Sequence, residues 1–262
     1  MKPFLILSAS IFLSFVIPPN TFRQKQMSFT RIRQAYAAKE KVVAKSLAAH
    51  SILRDSLRIY LRAFKAEKTI ELWARNQNDS MYCHIKEFPI CEISGEIGPK
   101  RCVKDLQVPE GFYHISDLNP YSKYHLSMQI NYPNASNSIR GMKGRLGNLI
   151  FIHGGCESSG CLAINDEQIQ ELFVYCIEAY NSGQANIDIT IFPCRLNDAN
   201  YSKIISSYKR DKDKTSLWAD LKKHYDRFNQ TGIPPSVRFL SDGTHVFIDQ
   251  YTPMTPKKQT VL

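Results

Sequence analysis

The stretch Ile150-Phe151-Ile152-His153-Gly154-Gly155-Cys156-Glu157-Ser158-Ser159-Gly160-Cys161-Leu162 decides how the chain is read. An apolar run ends on a histidine, crosses a loop of small residues and arrives at Ser-Gly-Cys. Cys161 follows His153 by eight residues, so a single loop can bring thiol and imidazole together. An imidazole base then assists the sulfur in attacking a carbonyl. Gly160 permits close backbone approach, so the amides of Gly160 and Cys161 are candidate donors to an oxyanion. Ser158 and Ser159 are placed to donate further hydrogen bonds or to orient the loop. Three other readings stand beside this one: a Cys156–Cys161 disulfide, a metal site from His153, Cys156 and Cys161, and a core histidine without a role. The metal reading lacks an obvious fourth ligand.

The flanking sequence frames this loop between regular elements. Asn165 is a good helix cap, Asp166 and Glu167 suit a first turn, and Ile169, Leu172, Phe173, Cys176, Ile177 and Tyr180 recur at helical spacing up to Asn181-Ser182-Gly183. Ile187, Ile189 and Ile191 then alternate with outward Asp188 and Thr190 in a strand stopped by Pro193. Upstream, residues 57–64 and 69–73 flank a Lys65–Lys68 turn as a hairpin, and residues 81–90 give another strand. Pro109-Glu110-Gly111-Phe112-Tyr113 turns into a short aromatic strand. Residues 124–130 alternate, with Tyr124, Leu126, Met128 and Ile130 on one face. The glycine-rich segment 139–147 carries Arg140, Lys143 and Arg145, and its place before the His153 strand makes it a candidate for a substrate carboxylate. These signals predict an α+β fold, mainly β.

Composition sets the limits. Apolar residues at 43% and charged residues at 22% describe a globular chain, long enough at 262 residues for one ordinary domain with attachments. The net charge of +10 favours an acidic partner. No finger-type ligand spacing, RNP-like aromatic box or basic heptad region accompanies it, which argues against nucleic acid. Met1-Lys2 followed by the apolar run 4–17 is short for a membrane span and suits an export signal. Pro18-Pro19 stands where a cleavage site is expected, so the segment is read as a signal peptide or a retained N-terminal anchor, with a buried first strand as the competitor. Seven cysteines fit an oxidising compartment, and their odd count leaves at least one thiol free. Cys176, on a helical apolar face, reads as a small buried hydrophobe.

The expected organisation is a signal or anchor over 1–22, a basic linker and helix over 23–56, a catalytic unit over 57–195 and an accessory C-terminal part over 196–262. The leader helix, with Val42, Val43, Leu47 and Leu53 near one stripe, reads as a tether with a solvated basic face. Two helices, 199–208 and 216–228, and a hairpin through Asp242-Gly243 make up the C-terminal part, followed by a disordered tail.

His153-Gly154 with Ser158-Ser159-Gly160-Cys161 resembles the signature of the YkuD-type L,D-transpeptidases, and most closely their YafK-like branch. The likeness runs through Pro89-Ile90-Cys91, Ser94-Gly95-Glu96-Ile97-Gly98-Pro99-Lys100, Pro109–Tyr113, Leu118-Asn119-Pro120, Asn131–Ala135 and, more weakly, Arg195–Asn200. The resemblance implies a cradle-like β-sandwich catalytic domain with flanking helices and a small C-terminal extension. It implies Cys161 as nucleophile, His153 as general base and acid, and the Gly160 amide in the oxyanion hole. Peptidoglycan stem peptides are the implied partner, attacked at the L-centre of meso-diaminopimelate through a thioester. A wall-linked lipoprotein is a second partner, because one branch member is an amidase that releases such a protein. No metal or organic cofactor is implied, and the implied location is the periplasm of a diderm bacterium. Two positions depart from the usual pattern: Ser159 replaces a histidine before Gly-Cys, and Ala163 replaces an arginine two residues after the cysteine. The substrate-carboxylate role therefore moves to Arg145, with Gly154, Ser158 and Ser159 as the other substrate-facing positions. Hydrolysis stands beside transpeptidation, and a non-catalytic wall-binding module with a Cys156–Cys161 disulfide is the reading from another class.

Overall fold

The computed structural model describes residues 21–147 and 149–248. The apolar segment read as an export signal and the tail after Pro253 fall outside them. Among the described residues, no helix is long and apolar enough to cross a membrane.

The predicted hairpin is β1 (Leu57–Phe64) and β2 (Thr69–Asn76), paired from Phe64↔Thr69 outward, with β3 (Cys83–Pro89) beside β2. The sheet continues through β4 (Glu92–Ile93), β5 (Gly111–Asn119), β6 (Ser127–Ile130), β7 (Phe151–His153), β8 (Leu162–Ala163) and β9 (Asp188–Phe192). All nine strands join in the order β3-β2-β1-β9-β5-β6-β7-β8-β4. Strand β5 belongs to both halves. Gly111–His114 pair with β9, and the residues from Ile115 onward pair with β6 across a register shift between Ile115 and Asp117. A bulge of this kind bends a strand and raises its twist. The α+β expectation is met, with the cradle built from this one long sheet.

Helices α1 (Phe22–Gln26), α2 (Thr30–Ala49), α3 (Ala135–Arg140) and α4 (Asn165–Asn181) precede or interleave the strands. Helix α4 is buried from Leu172 to Ala179 without interruption, because the sheet covers one side and α2 the other. The basic leader is therefore not a tether. Ile32, Ala35, Tyr36, Val43 and Leu47 are buried against α4, whereas Val42 and Leu53, read as part of the stripe, are exposed. At the centre of this contact lies Glu178 on α4, fully buried. It accepts a hydrogen bond from Tyr36 Oη at 2.7 Å and has Arg23 and Arg54 at 3.6 and 3.7 Å. Two of the leader's cations thus serve an interior carboxylate.

The C-terminal part is likewise integral. Helices α5 (Asp198–Ser207) and α6 (Lys212–Thr231) and the hairpin β10 (Ser236–Phe239)–β11 (His245–Ile248) follow the sheet. Trp218 and Leu221 of α6 share a second core with Phe64, Phe112 and Phe192 of the sheet. Thr190, expected to face outward, is consequently buried. Glu110 ties the layers together. Its Oε1 accepts from Gly98 N–H at 2.7 Å and lies 3.0 Å from Lys65 Nζ, while its Oε2 accepts from Trp218 Nε1–H at 2.7 Å.

Removing Glu110 would strand a buried ammonium and an indole donor. Glu110→Ala is expected to lower unfolding free energy by about 3–5 kcal/mol, read by chemical denaturation. A loss under about 1 kcal/mol would contradict this role for the carboxylate.

Candidate active site

Strand β7 ends on His153, strand β8 begins at Leu162, and the two run parallel with Ile152↔Leu162 and His153↔Ala163 as partners. Side chains of partnered residues leave the same face, and alternation keeps residues two apart on that face. Cys161 directly precedes β8, and its sulfur accepts from the N–H of Phe151, the first residue of the strand that ends on His153. The pairing of β7 with β8 thus sets the Cys161 segment beside the His153 strand.

His153 is buried and lies flat on Tyr124, with ring centroids 4.4 Å apart and 22° between planes. Its Nδ1 is 2.6 Å from the Gly154 carbonyl oxygen. A carbonyl only accepts, so Nδ1 carries the proton and Nε2 presents a lone pair. Burial lowers the histidine's pKa and the Lys123 charge lowers it further, against the raising effect of the Gly154 bond. The ring is held neutral, in the tautomer that a base requires. The expected strand over 124–130 is shorter than predicted, because His125 takes φ +68° and only Ser127–Ile130 extend. That turn leaves Tyr124 free to stack on the imidazole.

Cys161 is a free thiol. Its Sγ sits 3.9 Å from the Leu149 carbonyl, to which the S–H points, and no Cys161–His153 hydrogen bond forms among the described residues. Burial pushes the thiol's pKa up, opposed by the Phe151 N–H and by the charges of Lys100 and Lys123. Both shifts favour the uncharged forms of the Cys161 thiol and the His153 imidazole.

The backbone amides of Gly160 and Cys161 are both engaged. Gly160 N–H donates to Ser94 Oγ at 2.6 Å, and Cys161 N–H donates to Ser158 Oγ at 3.2 Å. Ser94 Oγ in turn donates to Leu106 O, Ser158 Oγ donates to Cys161 O, and the two hydroxyls lie 3.3 Å apart. Ser158 thus fixes the Cys161 peptide, and its hydroxyl is already engaged. Gly160 sits at φ +106°, and a Cβ there would meet Gln107 O at 3.1 Å.

The other predicted residues separate clearly. Ser159 is exposed beside the nucleophile, and Arg145 is exposed on its loop with no ion pair among the described residues. Gly154 is enclosed: a Cβ would come 2.5 Å from Asp166 Oδ1 and 2.6 Å from Tyr124 O. It has no open side for substrate and acts through its carbonyl on His153. The Cys156–Cys161 disulfide is overturned, since Cys156 pairs with Cys91. That pairing also withdraws Cys156 from the metal set and removes the bond on which the non-catalytic reading rested. Tyr124, Ser94 and Asp166 were missed as site residues. Asp166, read only as a first-turn acid, has its Oδ1 accepting from Gly155 N–H at 2.7 Å and so ties the loop to α4.

An α+β cradle carrying this loop defines the class, and sequence comparison names it. The model of the L,D-transpeptidase catalytic domain (YkuD) matches residues 58–183. The chain belongs to this family. It is 35% identical over 185 residues to "Putative L,D-transpeptidase YafK" of Escherichia coli strain K12, covering 70% of this chain and 71% of that one, and equally to the same protein of E. coli O157:H7. Among solved structures it is similar to the helical cell shape determining protein Pgp2 from Campylobacter jejuni, with TM-score 0.42, 16% identity and 71% and 74% of the two chains covered. It is also similar to Bd1075 of Bdellovibrio bacteriovorus, with TM-score 0.39, 17% identity and 66% and 71% covered.

The raised pKa of Cys161 has a measurable consequence. A thiol is unreactive while protonated, so iodoacetamide labelling of Cys161 in the resting protein is expected to rise with pH and reach half-maximum above the ordinary thiol value of about 8.5. A plateau already reached at pH 7 would mean a preformed thiolate and contradict the uncharged resting pair.

Proposed function

We propose that the protein is an exported cysteine acyl-transfer enzyme acting on peptidoglycan stem peptides at the L-centre of meso-diaminopimelate. The observation that supports the reading is the His153 Nδ1 bond to Gly154 O, which leaves Nε2 with its lone pair, one short loop away from a free Cys161 thiol. Nε2 takes the thiol proton as Sγ bonds to the substrate carbonyl carbon. The oxyanion is met by the Gly160 and Cys161 amides once substrate displaces the Ser94 and Ser158 hydroxyls. The C–N bond then breaks, the imidazolium returns its proton to the leaving amine, and a thioester remains. An amine acceptor gives a cross-link, and water gives hydrolysis.

Export is supported by the apolar segment after Met1-Lys2 and by the Cys91–Cys156 disulfide, whose Cys156 end is exposed and so suits an oxidising space such as the periplasm. The same N-terminal segment is proposed as a signal or an inner-membrane anchor. Arg145, exposed and without an ion pair among the described residues, is the proposed contact for a substrate carboxylate, with Ser159 beside it. Hydrolysis that frees a wall-linked lipoprotein is the second reading. It is favoured by Ala163, buried opposite His153, where a donor-fixing arginine would otherwise stand.

Incubation with purified muropeptides and with lipoprotein-bearing sacculi, followed by mass spectrometry, tests this. New diaminopimelate cross-links are expected for transpeptidation, and released lipoprotein or trimmed stems for hydrolysis. Cys161→Ala should lower turnover by about a thousandfold or more. Unchanged product with that variant would overturn the assignment.

A further inference from the structure

A second cleft of about 540 Å³ opens far along the sheet from Cys161, where β1, β2, β5 and β9 form one side and residues 233–239 the other. Its volume falls within the ordinary range of small-molecule sites, about 300–1,000 Å³. The register explains which side chains it gathers. Tyr60 is the partner of Asp188 on β9, Arg58 is the partner of Arg75 on β2, and alternation puts all four on the sheet face turned toward α6. This face holds uncompensated charges of both signs.

The Asp188 carboxylate has no hydrogen bond or ion pair among the described residues. Solvent reaches it, but the protein around the rest of it pushes its pKa up to about 6 through desolvation. The Arg58 guanidinium bonds only to neutral acceptors: Leu57 O, Ser182 O and Oγ, and Gln77 Oε1. Arg75 likewise spends its hydrogen bonds on the carbonyls of Asn76, Gln77 and Asp79, with Tyr82 beneath it at 5.0 Å. Neither arginine has a carboxylate partner among the described residues.

An independent sign comes from the opposite wall. His224 of α6 lines the cleft, is 2% exposed, and its Nδ1 has no hydrogen-bond partner among the described residues. A buried polar atom left unpaired costs about 1–3 kcal/mol unless something in the cleft satisfies it. A neutral sugar could serve the histidine and the carboxylate but would leave both guanidinium charges without counterions. A purely anionic ligand would face Asp188.

We propose that this cleft binds a zwitterionic ligand of amino-acid class, with its ammonium on Asp188, its carboxylate on Arg58 and Arg75, and its remainder toward His224. The proposal is independent of the chemistry assigned to Cys161.

Ligand-observed NMR and calorimetry on the intact protein test it with alanine, Nε-acetyllysine, N-acetylalanine, alanine methyl ester and N-acetylglucosamine. At least one of the first two should bind, and the two blocked alanines should be weaker by about tenfold or more, the worth of one unpaired buried group. Stronger binding of alanine identifies a free amino acid, and stronger binding of Nε-acetyllysine a zwitterionic end on a longer chain. Asp188→Asn should abolish discrimination against N-acetylalanine while the thermal transition is retained. No saturable binding of either zwitterion, equal binding of the blocked forms, or N-acetylglucosamine binding as tightly as the zwitterions would overturn the proposal. The ligand panel on the unmodified protein decides this even if Asp188→Asn fails to fold.

Discussion

The parallel pairing of β7 with β8 is the constraint on which the rest of the site depends. It sets the strand that begins after Cys161 against the strand that ends on His153, yet it is closed by only the residues between Gly154 and Cys161. Parallel neighbours normally need a dozen or more connecting residues. The short connection is held by bonds at both ends. Ile164 N–H donates to His153 O and Asn165 N–H to Gly155 O, while Asp166 takes the Gly155 amide. On the far side, Cys91 N–H donates to Ala163 O, and the Cys91 sulfur fastens Cys156 in mid-loop. The enclosed Gly154 follows from the same compression, since any side chain there would strike Asp166 and Tyr124.

This scaffold explains why thiol and imidazole rest uncharged. The strand pairing that aligns them also removes them from water, and desolvation disfavours both thiolate and imidazolium. The nearby cations Lys100 and Lys123 offset part of that penalty at sulfur. The serine hydroxyls on the Gly160 and Cys161 amides satisfy two donors that would otherwise stand open. A substrate carbonyl must replace acceptors already in place, so the donors are directed in advance.

Much of this was legible in the sequence because it is local. The β1–β2 hairpin, the helix after Asn165, the alternation of Ile187, Ile189 and Ile191, and the His153–Cys161 spacing all rest on periodicity or turn chemistry. What escaped was long-range. The Arg23–Glu178 and Arg54–Glu178 contacts join segments with no shared pattern, so a docked leader reads as a solvated one. Thr190 alternates as if exposed because α6, which covers it, lies later in the chain. The Cys91–Cys156 pairing spans 65 residues and four strands, and a two-residue strand such as β4 carries no alternation to reveal its partner. Tyr124 was placed in a strand on apolar pattern alone, whereas the positive φ of His125 turns it toward the imidazole.

The central claim is that the acyl group passes through Cys161 with His153 as its base. Intact-protein and peptide mass spectrometry of the enzyme quenched during turnover on stem tetrapeptides measures this directly. A hydroxylamine-labile adduct of the donor's acyl mass is predicted on the Cys161 peptide, formed far more slowly by His153→Gln. Turnover with an adduct on another residue, or adduct formation indifferent to His153, would contradict it.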